Sequence, residues 1–178
     1  LNKVLEPTRK ARETPVFIKR QDSKYGLNKN YLYALDVEKF KTLIKRAKKE
    51  VNQKDKVRYY ELACKIYQGE FLADTLYLDC IRNEREKLRK YFLDAKDKLV
   101  KYYYKKNEFK RCIQNCDQIL YRDKCWENAY FYKMKSYYQL DQPARAIKIY
   151  DKCKSVLQEE LKVLPCSKIK KLYKKIKM

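Results

Sequence analysis

Tyr103-Tyr104-Lys105-Lys106-Asn107-Glu108-Phe109-Lys110-Arg111-Cys112-Ile113 and, 34 residues further on, Tyr137-Tyr138-Gln139-Leu140-Asp141-Gln142-Pro143-Ala144-Arg145-Ala146-Ile147 decide the reading of this chain. Both stretches run from the end of one apolar-periodic segment, through a polar break, into the start of another. Pairs at the same 34-residue offset extend the match: Ala95 with Ala129, Cys112 with Ala146, Asp117 with Asp151. The breaks fall at Asn107 and at Asp141-Gln142-Pro143, and Pro143 suits the first turn of a helix, where its missing N–H costs nothing. A small residue at Cys112 and Ala146 is what two closely crossing helices require, and the tyrosines can fill the groove between neighbours. The repeat therefore predicts two successive antiparallel helix pairs.

Upstream, the helical pattern begins at Asp36, a suitable N-cap, with Phe40, Leu43, Ile44, Ala47 and Val51 following at spacings of 3 and 4. A second helix is predicted over roughly 55–68, using Tyr59, Leu62, Ala63, Ile66 and Tyr67, with Gly69 as its stop. Residues 70–78 are apolar without period and are expected to form a packed connector. A long helix then carries Leu88, Tyr91, Phe92, Ala95, Leu99, Tyr102 and Tyr103, ending near Asn107. Downstream, Leu161 to Pro165 breaks the pattern, and Ser167 can cap a last helix bearing Ile169, Leu172, Tyr173 and Ile176. From 162 to 178 there are seven Lys and no acid, the character of a solvated helix end.

Before Asp36 the character differs. Leu1-Asn2-Lys3-Val4-Leu5-Glu6-Pro7 looks like a helix halted at Pro7, followed by a basic stretch from Thr8 to Thr14. Val16-Phe17-Ile18-Lys19-Arg20 and Tyr25-Gly26-Leu27 then flank the polar group Gln21-Asp22-Ser23-Lys24, which predicts a β-hairpin. Tyr31 to Leu35 would add a short extended segment. Two domains follow, 1–35 and 36–178.

Composition supports the helical reading. The 178 residues contain only 2 Gly and 4 Pro, so turns are few and elements long, against an all-β protein. The 45% apolar and 38% charged fractions fit helices that each keep one wet face. The formal charge of +22 would favour nucleic acid. Residues 1–35, however, hold 8 Lys/Arg against 3 Asp/Glu, nearly the charge per residue of the remainder, so the excess singles out no segment. A lysine coat on solvated helix faces is its simplest account. Seven Cys, an odd count at irregular spacing, read as buried core thiols in a reducing compartment. Cys112 and Cys116 share one helix face, but no C-x-x-C and no His accompany them, so no metal is expected.

Catalysis is not expected either. The absence of His removes the commonest acid–base group, and no Gly-rich phosphate loop, G-x-S-x-G or H-E-x-x-H occurs. Carboxylates such as Glu84, Glu86, Glu159 and Glu160 sit among basic neighbours and read as surface pairs. No cofactor is implied. No run approaches the ~18 apolar residues of a membrane span, and no signal-peptide pattern is seen. A cytoplasmic protein without a membrane partner is expected, and a chain opening on Leu1 reads as part of something longer.

A 34-residue helical repeat with small residues at the crossing resembles the tetratricopeptide (TPR) class. The fold expected is all-α, TPR-like antiparallel repeats with a short N-terminal hairpin. Further stretches narrow the resemblance. Tyr67-Gln68-Gly69-Glu70-Phe71-Leu72-Ala73-Asp74 resembles the Y-x-G-x-F-L-x-D stretch of the bacterial transcriptional activator domain found in antibiotic-pathway regulators of the SARP type. Arg82-Asn83-Glu84-Arg85-Glu86-Lys87-Leu88 is similar to that family's x-x-E-R-E-x-L helix start. Glu159-Glu160-Leu161-Lys162-Val163-Leu164-Pro165 resembles its E-E-L-G-V-x-P terminus, with Lys162 in place of the usual Gly, so that a left-handed turn there would have to be remade. The resemblance covers 36–178 in the family's order.

Residues 1–35 resemble the end of an OmpR-type winged helix: the close of the recognition helix and its wing. The Tyr-Gly order is altered, the wing lacks its usual Gly, and the helices ahead of the recognition helix are absent. The resemblance implies a transcriptional regulator whose complete winged helix binds promoter DNA, with Lys3, Lys19, Arg20 and Lys24 as the DNA-contacting residues. For the helical domain it implies protein–protein or interdomain contacts, with RNA polymerase or a second protomer in a homodimer as partner. Two other readings stand beside it. One is a TPR-type adaptor that binds proteins and not DNA. The other is a helical protein that binds nucleic acid nonspecifically through its charge.

Overall fold

The structure is a computed structural model that describes residues 8, 10, 13, 16–21, 24–28, 35–72 and 79–177. The chain divides into two compact units, 1–35 and 36–178.

In the first unit, β1 (Ile18–Gln21) pairs antiparallel with β2 (Lys24–Leu27), Ile18 opposite Leu27 and Arg20 opposite Tyr25. The buried side chain of Asn28 donates to the Val16 carbonyl at 2.8 Å, while its backbone N–H bonds the Phe17 carbonyl at 2.8 Å. The hairpin of the sequence reading is thus formed. The helix end expected over 1–7 lies outside the described residues, as does the extended segment over 31–35 apart from Leu35.

The second unit contains seven helices among the described residues: α1 (Asp36–Lys49), α2 (Gln53–Ile66), α3 (Asp79–Lys105), α4 (Phe109–Arg122), α5 (Glu127–Gln139), α6 (Pro143–Leu161) and α7 (Ser167–Lys177). Each packs on its successor, and α3, α5 and α7 also pack side by side, the mark of stacked helix hairpins. Cys112 and Ala146 are both 0% exposed at equivalent points of α4 and α6. The two breaks between hairpins are the same turn built twice. Asn107 and Asp141 adopt left-handed backbone (φ 59° and 55°), which their short polar side chains tolerate. Glu108 N–H then bonds the Tyr103 carbonyl at 2.9 Å, and Gln142 N–H bonds that of Tyr137 at 2.9 Å. Pro143 stands at the first turn of α6.

Several details differ from the sequence reading. Asp36 lies inside the first turn of α1, where its carboxylate accepts from Val37 N–H at 2.7 Å. α1 buries Phe40, Ile44 and Ala47 but stops at Lys49, so Val51 falls in the loop and is 91% exposed. Asn52 caps α2, its side chain accepting from Lys54 N–H at 2.9 Å. α2 buries Val57, Tyr60, Ala63 and Cys64, leaving Leu62 42% exposed. It ends in a cap at Tyr67, whose N–H returns to the Ala63 carbonyl, and Gly69 has no positive φ. The connector is described only at its start, where Leu72 is exposed. The left-handed turn at the end of α6 is kept and not remade: Lys162 itself adopts φ 58°, and Val163 N–H reaches back to the Leu157 carbonyl at 3.3 Å. At α7, the backbone carbonyl of Cys166, not the Ser167 side chain, receives the N–H groups of Ile169 (3.1 Å) and Lys170 (3.2 Å).

Two buried clusters run through the stack, with the half-buried Leu120 packed against both. Phe40, Ile44, Ala63, Leu88, Phe92 and Leu99 belong to the first, and Tyr130, Met134, Cys153, Leu157 and Ile169 to the second. Among the described residues Tyr60, Tyr67, Tyr103 and Tyr130 are buried. Of the cysteines, Cys64, Cys112, Cys116 and Cys153 are buried, whereas Cys166 is exposed. Burial pushes the thiols of Cys64 and Cys153 up to about 12, so both stay protonated and inert at neutral pH.

Candidate functional site

The hairpins α1–α2 and α3–α4 leave a cleft of about 800 Å³ between their second helices, with α3 as its floor. Its floor is polar where a core would be apolar. Lys96, on the inner face of α3, is only 8% exposed, and its ammonium donates to Asn115 Oδ1 of α4 at 3.0 Å. It also lies 5.7 Å from the centre of the Phe92 ring. Burial pulls its pKa below the ordinary lysine range, with the neighbouring Cys64 and Glu61 opposing. Asn115 is itself oriented by its Nδ2 donating to the Arg111 carbonyl at 2.8 Å.

At one end of the cleft, Glu61 of α2 draws three elements together. Tyr103 Oη of α3 donates to its carboxylate, and Arg111 Nη2 of α4 donates to the same oxygen at 2.8 Å. The Arg111 guanidinium also covers the Tyr103 ring at 4.1 Å and bonds Glu108 at 2.9 Å. Burial, then the Glu61 hydrogen bond, drives the Tyr103 pKa up, so the phenol stays a donor. At the other end, Arg122 lies over Tyr67 (5.2 Å) and Phe92 (5.6 Å), donates to the Gln68 carbonyl at 3.0 Å and faces Glu70 at 3.6 Å.

The carboxylates of this cleft are already committed to partners within the fold. Glu61 is engaged by Tyr103 and Arg111, and the second carboxylate of the wall, Asp117, is held by Lys133 at 2.5 Å. With Arg122 paired to Glu70, Lys65 and Lys96 remain as positive charge along the cleft, interleaved with the amides of Gln68, Gln114 and Gln118. Such a lining suits a polypeptide segment that brings carboxylates and backbone carbonyls. Cys112 and Cys116 are buried on the core side of α4, and burial drives the Cys116 thiol well up. No cluster of three or more potential metal ligands occurs among the described residues.

The residues expected to contact DNA lie in the other unit. Lys19 and Arg20 fall in β1 and Lys24 in β2, Arg20 and Lys24 being exposed. The Arg20 guanidinium sits 6.0 Å from the ring of its cross-strand partner Tyr25. Lys3 lies outside the described residues. The cleft residues Glu61, Lys96, Arg111, Asn115 and Arg122 were not singled out from sequence. A signal for one existed: Arg111 and Arg145 are 34 residues apart, each covering the tyrosine eight positions before it, at 4.1 and 5.8 Å.

Helix hairpins stacked side by side in this way define a TPR-like all-helical fold. The model of the family described as "Bacterial transcriptional activator domain" matches residues 35–177, and the chain belongs to that family. The C-terminal TPR-containing domain of a Plasmodium falciparum protein described as FK506-binding is a structural neighbour. It superposes with a TM-score of 0.54 over 79% of this chain and 87% of that one, at 12% identity, a likeness of fold alone. No curated protein matches the chain significantly. No helix among the described residues is long and apolar enough to cross a membrane.

Proposed function

We propose that the chain is part of a cytoplasmic DNA-binding transcriptional regulator, in which the hairpin unit serves as the wing of a winged helix and the helical unit as a docking module. The observation that carries this reading is the match of the activator-domain family over 35–177, directly after a basic antiparallel hairpin at 18–27. In the complete reader, Lys3 would close the recognition helix, and Lys19, Arg20 and Lys24 would approach phosphates or the minor groove beside it. The polar cleft over α3 would receive an acidic segment of RNA polymerase or of a second protomer. The domain acts by binding and not by turnover.

The test compares the 178-residue chain with one restored upstream to the full winged helix, on a promoter fragment and on a scrambled duplex. The restored chain is expected to bind the promoter at least ~10³ tighter than the scramble, the low end of specific recognition. Arg20→Gln with Lys24→Gln should lower affinity on both duplexes. No gain from the upstream residues refutes the reading and leaves a protein-binding adaptor.

A further inference from the structure

Away from the polar cleft, the C-terminal end of α3, the end of α1 and the start of α2 enclose a second cleft, of about 730 Å³. Lys48, Lys56, Lys98, Lys101, Lys105 and Lys106 line it, with Tyr60 and Tyr102 between them, and no carboxylate does so among the described residues. Two of the six are engaged. Lys101 pairs with Asp97 at 2.6 Å, and Lys48 lies 4.7 Å from the centre of the Tyr91 ring. Lys98, Lys105 and Lys106 are exposed.

From this concentration of cations we infer that the helical unit carries its own contact for the phosphate backbone of duplex DNA, formed by the lysines between α1, α2 and α3. Its occupant is taken from the reading of the chain as a DNA-binding regulator. The average surface charge does not explain the cleft. With 45 Lys/Arg and 23 Asp/Glu in the chain, a wall of six cations should include about three acids, and it includes none. Helix-dipole compensation accounts for Lys48 and Lys105, which sit in last turns, but not for Lys56. Lys56 stands near the N-terminus of α2, where a cation is disfavoured.

The shape favours a backbone over a small anion. Lys98, Lys101 and Lys105 recur at i, i+3 and i+7 on one face of α3, a row about 10 Å long at 1.5 Å per residue. That length matches about three base-pair steps measured along the axis of B-DNA. The exposed lysines Lys98, Lys105 and Lys106 form an open track along the cleft.

The test measures binding of a random-sequence 30-bp duplex to the 178-residue chain as a function of salt. The slope of log K against log[salt] reports the number of phosphates neutralised, at about −0.9 per contact. Lys98→Gln/Lys105→Gln/Lys106→Gln is compared with Lys171→Gln/Lys174→Gln/Lys175→Gln on α7, an equal loss of charge from exposed positions. The cleft variant is expected to flatten the slope by about 2–3 and weaken binding at least about tenfold, with the α7 variant changing the slope by less than one. Equal effects, or none, overturn the inference, as does polyglutamate competing as well as duplex, which would make an acidic protein the occupant. The hairpin variant Arg20→Gln/Lys24→Gln, run in parallel, keeps the two ideas apart. Loss only in the hairpin variant refutes the lysine cleft and spares the wing, whereas loss only in the cleft variant supports the cleft, the wing being tested on the chain restored upstream.

Discussion

Ala146→Leu is the most direct test of how the stack is built. Ala146 is 0% exposed where α6 crosses its neighbours, and its counterpart Cys112 is equally enclosed in α4. Leucine adds three carbon atoms at a point with no opening to solvent, so room can come only from off-rotamer side chains or from spreading the helices. Overpacking of this kind costs about 1–3 kcal/mol. In a domain near 150 residues each kcal/mol lowers Tm by about 3–4 °C, which places the loss at roughly 3–12 °C. Ala144→Leu supplies the control, two residues earlier on the same helix but exposed, and should remain within about 0.5 kcal/mol of the parent. Both are read by circular dichroism melting at 222 nm, with urea titration to convert the midpoints into free energies. A Tm for Ala146→Leu within about 1 °C of the parent would refute the close crossing, and so would equal losses in the two variants.

Four further outcomes are expected. Lys162→Gly should stabilise the protein by about 0.5–1 kcal/mol in urea melts, because Lys162 holds a left-handed backbone that glycine adopts without strain. A null or negative change would contradict that turn. Stability should fall as pH rises above 9. Cys64 and Cys153 titrate near 9 when unfolded but are raised to about 12 in the fold, so their contribution is complete below 9 and is lost through that window, at about 1 kcal/mol per thiol between pH 9 and 10. Urea titrations at pH 8, 9 and 10 on the parent and on Cys64→Ala/Cys153→Ala should show a shallower decline in the variant. Val51→Lys should stay within about 0.5 kcal/mol of the parent, whereas Ile44→Ala should cost about 2–5 kcal/mol, a contrast that thermal melts of the two variants would check.

The repeat was legible because it is written in residue types with few alternatives. A small side chain at Cys112 and Ala146, and Asn or Asp at the two left-handed positions, are local requirements of a close crossing and a tight turn. They recur whenever the same turn is built again. The face of α2 was not legible. Tyr59, Tyr60, Leu62, Ala63, Cys64, Ile66 and Tyr67 place apolar groups nearly all round that helix, so periodicity could not choose between Leu62 and Val57. Packing against α1 and α3 chose Val57, Tyr60, Ala63 and Cys64. Val51 was misplaced for a related reason: it continues the apolar spacing of α1, but the Asn52 cap starts α2 before another turn could form.

Both clefts were beyond reach for a different reason. Glu61, Lys96, Arg111 and Arg122 are ordinary helix residues until α2, α3 and α4 bring them together across up to 61 positions of chain. The six lysines between α1, α2 and α3 look like any others in a chain with 45 Lys/Arg. Local sequence by itself determined that helices form, that they pair with a 34-residue period and where the tight turns fall, since propensity, capping and steric allowance act over a few neighbouring residues. Only the tertiary structure decided which face of each helix is covered and which charges share a cleft. Those depend on long-range packing, where desolvation of groups such as Lys96 is set by partners distant in the chain.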